Sequence, residues 1–293
     1  MRRLYFRYTA RQNLYNMQDA ITSSALAAAL AGTIFADAAH IHCFPKLEST
    51  NTAATQAATS GAPEGTIYSA DQQTSGRGRG GHSWDSQPGT GIYISIVLRP
   101  QIPASEIQWL SLIAGLAVYD AVQAVTSIAP DLRWPNDIML PDGRGGDKKL
   151  GGILTELSTD TGRATVKNAV VGIGLNINHT DFPADIRSLA TSLFLETGRH
   201  WPRADIAAAL LKSLDREYRA WCAGTGAARA VILQRFEQCS SYARGANVVV
   251  DDHGSGEFTG NTDGLDARGF LLVDTPTGRK TVISGGVRKM KIK

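Results

Sequence analysis

Three stretches of this chain set cations, glycines and an aromatic ring close together, a combination suited to an anionic ligand. The first reads Gln73-Thr74-Ser75-Gly76-Arg77-Gly78-Arg79-Gly80-Gly81-His82-Ser83-Trp84. Glycines alternating with arginines let the backbone approach a ligand while two guanidiniums pair with phosphate or carboxylate in a fork geometry. Trp84 can lie against a flat ring. The competing reading is a loose nucleic-acid-binding segment, but such segments usually extend as low-complexity tails, whereas this run is short and sits between two core strands.

The second stretch is Arg133-Trp134-Pro135-Asn136-Asp137, followed by Lys148-Lys149-Leu150-Gly151-Gly152-Ile153-Leu154-Thr155-Glu156. An amide and a carboxylate side by side after a proline suit either a hydrated Mg²⁺ or a plain turn, and the residues alone leave both open. Lys149 heads a strand with two glycines close behind it, so its ammonium can reach a phosphate or carbonyl oxygen over bare backbone; a strand-end lysine in solvent is the alternative. The third stretch is Val171-Gly172-Ile173-Gly174-Leu175-Asn176-Ile177-Asn178. Its alternating glycines strip one face of a strand, which makes a ligand wall with an Asn at its rim, or else a bulge or a close strand crossing.

These residues need a scaffold, and the composition supplies one. With 293 residues, 43% of them apolar, the chain can bury a large core and a small one. Thirty Lys and Arg against 27 Asp and Glu leave a net charge of +3, which argues against a dedicated nucleic-acid binder. Cys43, Cys222 and Cys239 show neither disulfide nor zinc spacing and fit a reducing, cytoplasmic setting. The Ala-rich run over 20–36 is interrupted by polar residues and too short to span a membrane; Met17, Ile21, Leu26 and Leu30 mark it as an amphipathic helix.

Periodicity predicts strands at 41–44, 65–70 and 92–98, a helix after Ser49 ending at Gly61, and a long core helix over 104–126. Further strands are expected around 132–140, 149–157 and 164–175, then helices over 203–222 and 227–242. This makes an α+β domain over 1–245, with residues 1–39 as an extension and helix, built on a mixed, mostly antiparallel sheet packed with helices. Short strands at 248–250, 256–260, 270–274 and 281–284 predict a small C-terminal β-barrel over 246–293, too small to stand without the first domain.

At these residues the chain strongly resembles biotin protein ligases, also called biotin–[acetyl-CoA-carboxylase] ligases. The resemblance rests on Ser49-Thr50-Asn51, the loop from Gln73 to Arg79, Trp84-Asp85-Ser86, Leu98-Arg99-Pro100, Trp134-Pro135-Asn136-Asp137, Lys149 to Leu154 and Gly172 to Asn176. It continues through Gly264-Leu265-Asp266, Gly269, Leu271 and Ser284-Gly285-Gly286-Val287. It implies a class II synthetase-like ligase core followed by an SH3-like barrel. The implied reaction joins biotin and MgATP into biotinyl-5′-AMP and then passes biotin to a lysine of a biotin carboxyl carrier protein.

By matching positions, the resemblance implies that Ser49, Thr50, Asn51, Gln73, Gly76, Arg77, Gly152, Gly172 and Gly174 line the biotin site together with Arg79 and Lys149. Arg79, His82, Trp84, Asn136, Asp137, Lys149 and Asn176 would serve ATP, with Asp137 on the Mg²⁺ and Arg79 and Lys149 as the catalytic pair. Such chemistry needs positioned cations rather than a covalent nucleophile, and no Ser/His/Asp or Cys/His arrangement stands out. Gly80 and His82 replace two arginines common in the family's loop, so this loop carries fewer fixed cations. Only 48 residues precede Ser49 and no recognition helix with its turn fits them, so a ligase without operator binding is expected, as a monomer or homodimer and without a membrane. A lipoate ligase sharing the same chemistry, and a non-catalytic biotin or nucleotide binder, are the rival readings.

Overall fold

The computed structural model describes residues 19–141, 146–159, 164–224, 226–252 and 256–290. Its first sheet has seven strands: β1 (Ile41–Phe44), β2 (Ile67–Ala70), β3 (Gly91–Leu98), β4 (Asp131–Arg133), β5 (Asp137–Pro141), β6 (Asp147–Thr159) and β7 (Val166–Asn176), in the spatial order β1-β2-β3-β7-β6-β5-β4. Only β1 and β2 run parallel; the other neighbours are antiparallel. The expected α+β domain on a mostly antiparallel sheet is what forms.

β3 is buried at every position, because both of its faces are covered. Ile92, Ile94, Ile96 and Leu98 join Val171, Ile173 and Leu175 of β7 in the main core, together with α3 (Gln108–Thr126) and α5 (Arg203–Cys222). On the opposite face, Val97 and Val170 pack against Ala54 and Ala58 of α2 (Thr50–Thr59). Ser49 caps α2, its hydroxyl accepting from the Thr52 amide at 3.4 Å, so the first turn of that helix points at the sheet where β7 carries its glycines. The stretch Ala104–Thr126 is long and apolar enough by composition to cross a membrane, yet it is mostly buried inside this fold.

Several expected boundaries shift for local reasons. The first helix is shorter than 20–36: α1 spans Ser23–Ala29, and Gly32 at φ +84° turns the chain so that Leu30 and Phe35 still reach the core. Met17 lies outside the described residues. The strand expected over 132–140 is two strands, β4 and β5, since Pro135 has no N–H for a ladder. α6 (Gly226–Gln238) stops short of 242, where the Ser240 hydroxyl donates to the Leu132 carbonyl. A five-residue helix, α4 (Leu193–Thr197), was not anticipated; Ser192 caps it and Gly198 ends it.

The C-terminal strands are β8 (Arg244–Asp252), β9 (Gly256–Leu265), β10 (Leu271–Thr275), β11 (Gly278–Val282) and β12 (Gly286–Lys289). Their ladder runs β11-β10-β9-β8-β12, so the described strands form the small antiparallel β domain expected, with no pairing between its edge strands β11 and β12 among the described residues. It leans on the first domain as expected. Val248, Val250, Leu271 and Val273 belong to the same core as α3, and the Trp134 indole donates to the Gly269 carbonyl at 3.0 Å.

Candidate active site

Gly152 of β6 faces Gly174 of β7, and Leu154 faces Gly172. The missing side chains leave a cleft of about 440 Å³ on the α2 side of the sheet. The protein's own groups partly occupy the space: a Cβ on Gly174 would stand 2.6 Å from the Trp84 indole, and one on Gly172 would stand 1.9 Å from the Asn51 amide oxygen. Glycine is required at both because another side chain is already there.

One end of the cleft is a network of neutral hydrogen bonds. The Gln73 amide oxygen accepts from the Thr50 backbone N–H at 2.8 Å and from its hydroxyl at 3.1 Å, while its NH₂ donates to the Ser86 hydroxyl at 2.9 Å. The Ser95 hydroxyl lies 2.6 Å from the Asn51 amide oxygen and 2.8 Å from the Thr50 hydroxyl. Asn51 donates in turn to Glu156 at 2.9 Å, and Glu156 takes both arms of Arg77 at 2.8 and 3.2 Å. The geometry suits a small polar ring with both donors and acceptors.

The other end is cationic. Asp137 holds Lys149 at 2.6 Å on one carboxylate oxygen and Arg133 at 2.5 Å on the other. Burial works to raise this carboxyl, but the Lys149 ammonium and then the Arg133 guanidinium outweigh it and hold it below the ordinary carboxylate range. The Lys149 ammonium also sits 5.5 Å from the centre of the Trp84 ring. Arg79 belongs to a small hairpin in which Arg77 pairs with Ser83 and the Gly78 N–H donates to the His82 carbonyl at 2.7 Å. The tip needs Gly80 and Gly81, which lie at φ +66° and +81°, a region costly for an arginine. Burial lowers the Arg79 guanidinium below its ordinary value, partly offset by Asp137, and its Nη1 donates to the Gly285 carbonyl at 2.7 Å. The Trp84 indole N–H is buried with no partner, as expected of a group awaiting a ligand acceptor.

Residues 43–176 match the biotin/lipoate A/B protein ligase family, and residues 245–290 match the biotin protein ligase C-terminal domain. The biotin–[acetyl-CoA-carboxylase] ligase of Mycobacterium tuberculosis is 35% identical over 244 residues, covering 81% of this chain and 84% of that one. The chain belongs to the biotin protein ligase family. The bifunctional ligase/repressor BirA of Bacillus subtilis is 34% identical over 85% of this chain and 73% of its own length. The biotin protein ligase of Aquifex aeolicus, solved in complex with biotin and ATP, superposes with a TM-score of 0.70 at 29% identity, covering 85% of this chain and 99% of that chain.

Within the ligase, Ser49, Thr50, Asn51, Gln73, Arg77, Arg79, Trp84, Asn136, Lys149, Gly152, Gly172 and Gly174 of the expected site residues line one cleft. Four residues sit elsewhere. Gly76 is buried behind the cleft, where a Cβ would stand 2.4 Å from the Trp84 carbonyl. His82 is exposed on the hairpin. Asn176 is buried and donates to the Thr191 carbonyl at 3.0 Å, bracing the segment whose Leu189 carbonyl receives the Lys149 N–H. Asp137 has both oxygens engaged by cations, and the described residues contain no group of three His, Cys, Asp or Glu side chains that could hold a metal. With Lys149 on one oxygen and Arg133 on the other, this carboxylate anchors the two cations of the site. Sequence reasoning passed over Ser95, Tyr93, Arg133 and Glu156. Glu156 carried a signal, since it lies on the same strand face as Gly152 and Leu154.

Proposed function

We propose that this ligase activates biotin with ATP to biotinyl-5′-AMP and transfers the biotinyl group to a lysine of a biotin carboxyl carrier protein. The observation that carries the reading is the polarity of the cleft. Neutral amides and hydroxyls from Gln73, Thr50, Asn51 and Ser95 close one end, cations from Arg79 and Lys149 close the other, and bare strand under Trp84 joins them. A ureido ring fits the first end and a carboxylate meeting an α-phosphate fits the second.

A carboxylate oxygen attacks the α-phosphorus, the bond to the β-phosphate breaks, and pyrophosphate leaves. Charge builds on the phosphoryl oxygens as this happens, and Arg79 and Lys149 are preorganised to offset it. Asp137 keeps the ammonium aimed, and Arg133 keeps Asp137 from neutralising it fully. Mg²⁺ would enter with the triphosphate, whose oxygens supply most of its ligands, and Asp137 is the carboxylate placed beside it.

Biotin-dependent exchange of labelled pyrophosphate into ATP tests this, run with biotin, with lipoate and with neither. Exchange with biotin alone is expected; exchange with lipoate alone would transfer the protein to the other branch of its family, and none would leave a binding module. As part of the same reading, the enzyme works in the cytoplasm without membrane or operator DNA. The free thiols Cys43, Cys222 and Cys239 support the first, and the burial of Leu26 of α1 in the ligase core, in place of a free apolar segment, supports the second. Whether the ligase acts as a monomer or homodimer is read by sedimentation with and without biotin and ATP.

A further inference from the structure

A second cleft of about 420 Å³ lies on the helix side of β6, between the start of α3 and the turn joining β4 to β5. Arg79, Asn136, Ile153 and Leu154 line both clefts, so the two hollows meet at the catalytic guanidinium. We propose that the second cleft receives the acceptor: a lysine side chain of the carrier protein, as its free amine, reaching the acyl carbon of the adenylate from the side opposite the biotin ring. The proposal rests on the ligase reading above and deepens it.

The walls suit such a side chain. Ile107, Pro135 and Ile153 offer hydrocarbon to an aliphatic stem. Deeper in, the Ser111 and Thr155 hydroxyls lie 3.1 Å apart, and the Gln108 side-chain nitrogen is buried with no partner. An unpartnered buried amide is costly, so a ligand that completes it is favoured. A half-turn of that amide presents its oxygen, which accepts from an amine.

The charge of the cleft selects the nucleophilic form. Arg79 is the charged side chain among the described residues lining it; Ile107, Gln108 and Ser111 from α3, Pro135 and Asn136 from the turn, and Ile153, Leu154 and Thr155 from β6 are all neutral. Among the described residues no carboxylate lines the cleft; Asp137, which acts on Arg79 from beside it, is already paired by Lys149 and Arg133, so burial beside a guanidinium favours the uncharged amine. The same inventory disfavours pyrophosphate, whose several negative charges would find one cation there. In the step itself the amine nitrogen bonds to the acyl carbon, and the carbon–oxygen bond to AMP breaks. The electron pair departs on the AMP phosphate, and the surplus amine proton goes to water.

Two variants at Gln108, which lies outside the first cleft, test the idea. Each is measured for biotin-dependent pyrophosphate exchange and for single-turnover transfer from preformed adenylate to the carrier domain of a carboxylase. Gln108→Trp fills the cleft: exchange should stay within about twofold of the parent while transfer slows by about tenfold or more, the scale of a lost, well-fitted contact. The near-isosteric Gln108→Glu adds a carboxylate that would stabilise the ammonium. Its transfer–pH profile should move toward alkaline pH by about one unit, with the exchange profile unmoved. Transfer at the parent's rate and pH dependence in both variants overturns the proposal. So does an equal loss of exchange and transfer, which would assign the second cleft to adenylation. A parent without biotin-dependent exchange would instead remove the ligase reading itself.

Discussion

Asp137 shows what reading residues one at a time leaves out. Adjacent amide and carboxylate side chains after a proline are compatible with a metal, yet the two cations that claim this carboxylate come from β4 and from β6, and only the folded sheet brings them together. Asp137→Ala would leave both cations unpaired in a site where its own side chain is 15% exposed. A loss of about 1–3 kcal/mol is expected in urea unfolding, below the value for a fully buried pair because Lys149 and Arg133 keep some solvent. The pH dependence has a fixed sign: the folded carboxyl is held below its unfolded value of about 3.9, so its stabilising pairs are complete above that pH and fail only as acid protonates it. Lys149→Ala should abolish pyrophosphate exchange while leaving the far-ultraviolet circular dichroism unchanged; near-parental exchange would take Lys149 out of the catalytic pair.

Among the elements, β6 and β7 show what a motif conveys and what it leaves out. From the sequence, Gly172 and Gly174 read as a stripped strand face or else a bulge or close strand crossing, and Gly152 as bare backbone beside Lys149. That Asn51 lies in the room left by Gly172, and Trp84 in the room left by Gly174, depends on α2 and the arginine loop docking from far along the chain. A local period cannot carry that information. Gly172→Ala should therefore push Asn51 off Ser95 and Glu156 and raise the KM for biotin by about tenfold, the worth of one or two such hydrogen bonds. Gly174→Ala displaces the indole and should raise the KM for ATP more than that for biotin. Steady-state kinetics on the two variants separates these effects; the reverse pattern would exchange the roles assigned to the two ends of the cleft.

For the molecule as a whole, the order of elements and of domains was legible, while the strand count was not: ten strands were expected and twelve form among the described residues, because Pro135 divides one and the short β12 carries too few alternating residues to stand out. The anchoring of the C-terminal sheet is testable through Trp134→Phe, which keeps the buried ring and loses the bond to Gly269; a cost of about 1 kcal/mol is expected in chemical denaturation. Acid sensitivity should centre on His179. Its ring is fully buried against Phe182, with Nδ1 unpartnered, and burial, aided by the charge of Arg203, pushes it down to about 4. The unfolded chain takes up this proton near pH 6.5, so stability is complete above that value and should fall by roughly 3 kcal/mol as pH drops toward 4. His179→Gln should flatten that slope in urea titrations.

The contact between Arg79 and the Gly285 carbonyl has a bearing on how the enzyme comes into being. Gly285 is synthesised 206 residues after Arg79, so on the ribosome the loop emerges long before the turn that steadies its guanidinium. A nascent chain could assemble the seven-stranded sheet and the polar end of its cleft while Arg79, the arginine proposed to act in adenylation, still lacked its final brace. Translation that stops early, or a protease that trims the last strands, would then yield a chain that captures biotin but activates it poorly.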